Sequence, residues 1–111
     1  MNVGFKSKKL AILFSTEKAL IRKFGDQRAR RIMRRLAVLE AAPSLDEVPQ
    51  TPPDRRHELT GNRNGEFALD VGQPYRLIFV PDHNPLPTKP DGGLDLRQVT
   101  AIIVLDVEDY H

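Results

Sequence analysis

The spacing of apolar residues near the start of the chain predicts helices. A short apolar patch at residues 3–5 is suited to an edge strand, and apolar side chains then recur at helical intervals between residues 10 and 24. Within that stretch Ser15 or Thr16 is suited to cap a second helix, and Gly25 is a stop signal. We therefore expect a short strand followed by a helical segment that contains a second helix start.

A clearer amphipathic helix is predicted for residues 27–42, with Asp26 as its cap and Pro43 as its end. Its apolar face consists of Ala29, Ile32, Met33, Leu36 and Leu39. Its outer face consists of Arg28, Arg30, Arg31, Arg34 and Arg35. The first helical segment and this helix are expected to form an αα-hairpin packed on one face of a sheet.

The second half of the chain predicts strands separated by turns. In chain order we expect a loop at 42–54, an extended segment at 55–60, a turn at 61–65, strands at 66–71 and 75–80, and a long mobile loop at 82–97. In the first of these strands Phe67, Leu69 and Val71 alternate with Glu66 and Asp70, which predicts that one face is buried. Hairpin connections make the last four strands largely antiparallel, so the predicted fold class is α+β.

The last stretch of the chain predicts a central strand. Residues 99–107 are nearly all β-branched or leucine, without glycine or proline, as in a strand buried on both faces in the middle of a sheet. The strand then delivers four polar side chains to the rim of the sheet, namely Glu108, Asp109, Tyr110 and His111. An acid, a phenol and an imidazole side by side are groups that proton-transfer chemistry uses, whereas the other interpretation is a frayed polar tail.

Composition favours one domain spanning residues 1–111. The 40% apolar and 29% charged content is ordinary for a globular protein. The absence of cysteine excludes disulfide bonds and thiolate metal sites. No apolar run approaches the roughly 20 residues of a membrane span, and the N-terminal residues lack the apolar h-region of a signal peptide. We therefore expect a cytoplasmic protein that does not bind membranes.

Charge is divided unevenly along the chain. Residues 1–35 contain 11 of the 17 lysines and arginines and two acids, whereas the remaining residues contain six bases and 13 acids. Such opposed blocks are suited to a basic surface that binds a polyanion, or to a pair of solvated helices.

Two residues outside the last stretch are candidates for chemistry. His57 lies at the start of an extended segment, and Arg76 lies in the middle of an apolar strand. A charge at that position must be paired, with Glu108 or Asp109 as possible partners, or must emerge into a cleft. The sequence contains no glycine-rich phosphate loop, nucleophile elbow or HExxH motif, and its histidines lack the spacing of metal ligands. We therefore expect neither a metal nor a cofactor.

Four motifs in the same order along the chain resemble those of one family. They are Lys23-Phe24-Gly25, Arg56-His57-Glu58-Leu59 followed by Gly61, Pro74-Tyr75-Arg76-Leu77-Ile78-Phe79, and Val107-Glu108-Asp109-Tyr110-His111. Together they resemble the HigB-type toxins, the plasmid-maintenance-killer branch of the RelE/ParE superfamily. The resemblance implies the RelE-like microbial RNase fold, in which two N-terminal helices pack on a twisted, mainly antiparallel sheet.

The same resemblance implies a function and a set of site residues. It implies a type II toxin that cleaves mRNA on the ribosome and is inhibited by a HigA-type helix-turn-helix antitoxin, through which alone it would meet operator DNA. The catalytic set would be His57, Arg76, Asp109, Tyr110 and His111. The basic charge of the chain, rather than the resemblance, predicts a surface that binds RNA or the ribosome and includes Arg28, Arg31, Arg34, Arg35 and Arg56.

Such a reaction requires no metal ion, because RNA carries its own nucleophile. The 2′-OH attacks the adjacent phosphorus once a base takes its proton, and an acid protonates the leaving 5′-oxygen. Imidazoles can do both near neutral pH, and a guanidinium such as that of Arg76 can stabilise the phosphorane. Asp109 could orient a histidine, and Tyr110 could stack on a base.

Two features of the chain depart from the family pattern. Thr60 stands where many relatives carry a lysine directly after His-Glu-Leu, and the loop at residues 82–97 is longer than a short hairpin. Two other functions are compatible with the sequence. One is a ParE-like growth inhibitor that acts without catalysis on a protein such as gyrase, and the other is a plain RNA-binding module that uses the arginines of residues 28–35.

Overall fold

The computed structural model describes residues 1–109 as three helices and a five-stranded sheet. The helices are α1 (Lys8–Leu13), α2 (Glu17–Phe24) and α3 (Asp26–Ala41). The strands are β1 (Asn2–Phe5), β2 (His57–Glu58), β3 (Phe67–Asp70), β4 (Tyr75–Pro81) and β5 (Ala101–Asp109). The predicted α+β class is therefore confirmed, and none of the described helices is long and apolar enough to cross a membrane.

The helix boundaries follow from local capping chemistry. The side chains of Ser7 and Thr16 each accept a hydrogen bond from a backbone N–H three residues later, at 3.1 Å, and so begin α1 and α2. Gly25, at φ 84°, separates α2 from α3. The prediction that Asp26 caps α3 is wrong by one position, because Asp26 lies in the first turn, where its charge favours the helix dipole and pairs with Arg30.

The sheet has the strand order β1-β5-β4-β3-β2. Strand β1 pairs with β5 in parallel, and the other three pairings are antiparallel. Strand β1 is an edge strand as predicted, and β5 lies inside the sheet between β1 and β4. The first and last strands of the chain are therefore neighbours, which ties the N-terminus to the start of β5.

The two faces of the sheet differ in how they are covered. The helices pack on one face, here called the helix face, and bury a core that includes Leu20, Ile32, Leu36, Leu39, Phe67, Leu69, Leu77, Phe79, Ile102 and Val104. The opposite side, here called the second face, has a smaller apolar cluster of Leu59, Ala68 and Ile78. Residues 55–66 and the ends of β3, β4 and β5 frame this cluster with charged side chains.

Strand β5 is buried on one face only. Ile102 and Val104 on the helix face are fully buried, whereas Ile103 and Leu105 on the second face are half-buried. The prediction of burial on both faces is therefore wrong, because the helices cover a single side of the sheet. A bulge shifts the register opposite residues 78 and 79, so Val107 returns to the helix face three residues after Val104.

The segment at residues 82–97 is held by its own hydrogen bonds. Thr88 and Leu94 form an isolated antiparallel bridge, and a 3-10 turn at Leu96–Gln98 leads into β5. His83 Nε2 accepts a hydrogen bond from the Thr100 backbone N–H at 3.0 Å. His83 therefore connects the two ends of this segment and has a structural role.

Candidate active site

His57 and Arg76 meet on the second face although 19 residues separate them. The sheet register explains the contact: His57 of β2 lies opposite Ala68 of β3, Ala68 lies opposite Ile78 of β4, and Arg76 lies two residues before Ile78. Residues two apart in a strand share a face. The guanidinium Nη1 of Arg76 lies 3.3 Å from Nε2 of His57.

The hydrogen bonds of His57 fix which ring nitrogen carries the proton. Its Nδ1 lies 2.7 Å from the carbonyl oxygen of Arg55, and a carbonyl oxygen can only accept, so Nδ1 donates. The guanidinium of Arg76 can only donate, so Nε2 presents its lone pair. The imidazole therefore has the tautomer of a general base, with Nε2 directed towards Arg76.

Arg55 adopts a backbone conformation that is rare for a residue with a side chain. Its φ is 51°, in the left-handed region, at a cost of order 1–3 kcal/mol. The turn directs the carbonyl oxygen of Arg55 to His57, and its guanidinium Nη1 donates to Asp70 Oδ2 at 2.9 Å. One strained residue thus orients the histidine and binds a carboxylate at the end of β3.

Arg63 forms the densest ion-pair network of the second face among the described residues. Its Nη1 and Nη2 donate to the two carboxylate oxygens of Glu108 at 2.6 and 2.8 Å, and its Nε and Nη2 donate to Glu66 Oε1 at 3.1 and 2.7 Å. Hydrogen bonds from Arg63 hold the pKa of Glu108 below its usual value, although partial burial opposes this. Hydrogen bonds to Glu108 and Glu66 raise the pKa of Arg63.

Asp109 lies at the end of β5 and pairs in the sheet with Tyr75 of β4. By strand alternation Asp109 shares the helix face with Val107, whereas Glu108 and Arg76 lie on the second face. Asp109 is exposed. The predicted site residues Tyr110 and His111 lie outside the described residues.

Three of the predicted RNA-binding arginines lie on the surface of α3. Arg31 and Arg34 are exposed, and Arg28 is half-exposed, with its guanidinium carbon 3.6 Å from the centre of the Tyr75 ring. This cation–π contact joins α3 to the start of β4. The side chain of Arg31 lies over Gly72, where a Cβ atom would collide with it.

Arg35 and Arg56 are buried, which contradicts their assignment to an RNA-binding surface. Each is 7% exposed. Arg35 Nε donates to the backbone carbonyl of Asp70 at 2.7 Å and lies 3.6 Å from Asp54 Oδ1. Arg56 Nε donates to the backbone carbonyl of Val48 at 2.9 Å, and burial lowers the pKa of Arg56 while Asp46 partly offsets this. Both side chains connect loops and strands in the interior.

Sequence reasoning missed three charged residues of this region, Arg55, Arg63 and Asp70. Strand alternation does predict that Asp70 points away from the helices. The sequence also suggests Glu108 as a partner for Arg76. The register does place Glu108 opposite Arg76, but the carboxylate of Glu108 binds Arg63. Which strands are neighbours decides these contacts, and no local pattern indicates that order.

A metal site and a second cleft are the alternatives to a site at His57 and Arg76 in the described part of the chain. Residues 1–109 contain no group of three or more histidine, aspartate or glutamate side chains that could hold a metal ion. A cleft of about 660 Å³ lies beside residues 93–97, and its lining includes the carboxylates of Asp46, Glu58 and Asp95. Lys89 and Arg97 belong to the same lining, but the acids outnumber them and no histidine of residues 1–109 lines the cleft, so we assign the candidate active site to His57 and Arg76 on the second face.

Comparison with known proteins identifies a fold. No protein-family model matches the chain, and no curated protein matches its sequence. A solved chain of the YoeB-YefM complex from Staphylococcus aureus aligns with 100% of this chain and 97% of its own length, at a TM-score of 0.56 and 14% sequence identity. This likeness confirms the expected RelE-like arrangement of helices on a mainly antiparallel sheet.

Proposed function

We propose that the chain is the toxin of a type II toxin–antitoxin system, and that it cleaves mRNA on the ribosome in the cytoplasm. The observation that carries this proposal is the contact between His57 and Arg76. A histidine with its lone pair on Nε2 adjoins a guanidinium on an exposed side of the sheet. For a 2′-OH to attack phosphorus, the site must first supply a base and a cation that binds the phosphate.

In the proposed reaction His57 is the general base. The guanidinium of Arg76 binds the non-bridging oxygens of the scissile phosphate, and Nε2 of His57 takes the proton of the 2′-OH. The 2′-oxygen then bonds to phosphorus as the bond to the 5′-oxygen breaks, which leaves a 2′,3′-cyclic phosphate and a 5′-hydroxyl once an acid has protonated the leaving oxygen. His57 keeps the proton of the 2′-OH and the acid supplies the proton of the 5′-hydroxyl, so the step balances without a metal ion.

The remaining roles rest on the family resemblance. His111 would be the general acid, Asp109 would orient it, and Tyr110 would stack on a base of the RNA. Asp109 lies at the end of β5 opposite Tyr75, the residue before Arg76, but on the helix face, so it would have to act around this end of the sheet. Arg28, Arg31 and Arg34 would contact RNA of the ribosome. Arg35 and Arg56 do not belong to this surface, because they are buried.

The proposed partner is a HigA-type helix-turn-helix antitoxin, and operator DNA would be bound through it. The solved neighbour is a chain from a complex of two proteins, which supports a protein partner for this chain as well. Expression of the chain alone would then arrest growth, and co-expression with its partner would relieve the arrest.

Cleavage of mRNA on purified ribosomes tests the proposal. His57→Gln and deletion of His111 should each reduce the rate of cleavage by at least about 100-fold, the scale for loss of a general acid or base. Both variants should keep the parental melting temperature within a few degrees. Cleavage sites are read by primer extension. The cyclic phosphate is detected because it blocks labelling of the RNA 3′ end until the cyclic phosphate is opened and removed.

His83→Gln is the matched control, because it makes the same chemical change at a histidine whose role is structural. It should cleave at close to the parental rate. Parental cleavage by the His57→Gln variant would contradict the assignment of the base. Growth arrest by that variant with intact mRNA would instead favour a non-catalytic inhibitor, and changed DNA topology would identify the ParE-like alternative.

A further inference from the structure

Two acids flank Arg76 in the sheet. Asp70 of β3 lies opposite Arg76 on one side, and Glu108 of β5 lies opposite it on the other. All three side chains project from the second face, because Leu69, Leu77 and Val107 next to them belong to the core of the helix face. Directly opposite residues have Cβ atoms about 4.5–5.5 Å apart. Either carboxylate could therefore form an ion pair with Arg76.

Each of these acids is bound by a different arginine. Asp70 Oδ2 accepts from Arg55 Nη1 at 2.9 Å, and both oxygens of Glu108 accept from Arg63, at 2.6 and 2.8 Å. Neither arginine belongs to a strand: Arg55 precedes β2 in a left-handed turn, and Arg63 ends a short turn before β3. The two loops thus supply one cation for each acid beside Arg76.

We propose that Arg55 and Arg63 are positioning residues that keep Asp70 and Glu108 from binding Arg76. The guanidinium of Arg76 can then stay directed at His57 Nε2 and at the RNA phosphate that arrives there. This inference rests on the proposed function, whose site it deepens. Arg63 does not replace the lysine that is absent at Thr60, because its Nε, Nη1 and Nη2 all donate to carboxylates.

The inference predicts rescue by removal of the acid that each arginine binds. Arg63→Gln should lower kcat on programmed ribosomes by about tenfold, because the released Glu108 carboxylate pairs with Arg76. Adding Glu108→Gln should restore kcat to within about threefold of the parent. Arg55→Gln should be rescued in the same way by Asp70→Asn. A role of either arginine in binding RNA directly would leave the double variants as slow as the single ones.

Exchanged pairs provide the matched control. Arg63→Gln combined with Asp70→Asn should remain slow, and so should Arg55→Gln combined with Glu108→Gln, since each leaves one released acid beside Arg76. Melting temperatures are measured for all variants, so that unfolding is separated from misdirection of Arg76. Equal rescue by matched and exchanged pairs would overturn the inference, because the effect would then be one of net charge.

A spectroscopic measurement without RNA separates this inference from the proposed function. The ¹⁵N resonance of His57 Nε2, assigned with the His57→Gln variant, should shift in Arg63→Gln as the hydrogen bond from Arg76 is lost, and should return in the double variant with Glu108→Gln. An unchanged resonance in Arg63→Gln would overturn the inference even if the parent cleaves mRNA. A parent that leaves mRNA intact but shows the shift and its reversal would overturn the proposed function alone.

Discussion

Adjacent arginines in α3 have opposite environments, which shows how much one helical step changes the role of a residue. Arg34 is exposed, whereas Arg35 is buried and binds the carbonyl of Asp70 beside the carboxylate of Asp54. One step along a helix rotates the side chain by about 100°. Residue 35 is three positions after Ile32 and therefore lies on the apolar face. Its long side chain reaches from there to the end of β3.

Arg35→Gln should lower the free energy of unfolding by roughly 3–5 kcal/mol, because it leaves the buried Asp54 carboxylate without its counter-charge. Within residues 1–109 Asp54 Oδ1 has no hydrogen-bond partner, and the guanidinium of Arg35, with Nε at 3.6 Å, is the cation that faces it. Urea denaturation measures the loss. Arg34→Gln should stay within about 0.5 kcal/mol of the parent. Adding Asp54→Asn to Arg35→Gln should recover part of the loss, and no recovery would argue against the charge as its cause.

At the scale of elements, one ion pair fastens the end of β5 to the turn before β3. The turn Gly61–Arg63 contributes Arg63, and the strand contributes Glu108, whose pKa the hydrogen bonds from Arg63 lower. Since the folded state lowers this pKa, the unfolded state binds more protons around pH 4. The stabilisation is therefore present above the ordinary glutamate pKa of about 4.3 and is lost as the pH falls through the lowered value.

Glu108→Gln should accordingly lose stability relative to the parent at pH 6–7, and the difference should shrink below about pH 4, where the parent carboxylate takes up its proton. Urea midpoints measured between pH 7 and pH 3 test this. Glu47→Gln, at an exposed position in the turn Leu45–Glu47, is the control and should show a much smaller difference. A Glu108→Gln deficit that stays constant down to pH 3 would contradict the ionic origin of the effect.

At the scale of the molecule, the basic helix surface and the candidate active site lie on opposite sides of the sheet. They approach each other at the start of β4, where Tyr75 contacts Arg28 on the helix face and the next residue, Arg76, points to the second face. An RNA strand bound to the arginines of α3 would therefore reach the site around this end of the sheet. Binding and cleavage should then depend on different residues.

Charge reversal of Arg31 and Arg34 together should weaken ribosome binding and reduce its salt slope by roughly one for each arginine that contacts a phosphate. Cleavage at saturating ribosome concentration should remain close to parental, because the site is on the other face. Reversal of Lys89 and Arg97, two exposed bases of the segment before β5, matches the change in net charge and should have a smaller effect. Equal effects of the two double variants would exclude a defined RNA surface on α3.

The sequence by itself determined most of the elements and the buried sides of α3 and β3, because these depend on short-range spacing, but it did not determine that β5 is buried on one face only. Thr16 and Gly25 mark the limits of α2, and the alternation of Phe67 and Leu69 identifies the buried side of β3. The motifs also pointed to His57 and Arg76 as candidates for chemistry. Arg35 could have been placed correctly as well, since its spacing from Ile32 puts it on the apolar face.

Only the tertiary structure decided which charges meet. The contact of His57 with Arg76, and the binding of Asp70 by Arg55 and of Glu108 by Arg63, follow from the strand order and from two loops. Residues far apart along the chain become neighbours through hydrogen bonds between strands, and hydrophobic periodicity identifies faces but not pairing partners. The physical reason is that strand order minimises exposed apolar surface over the whole domain, which no local window of sequence reports.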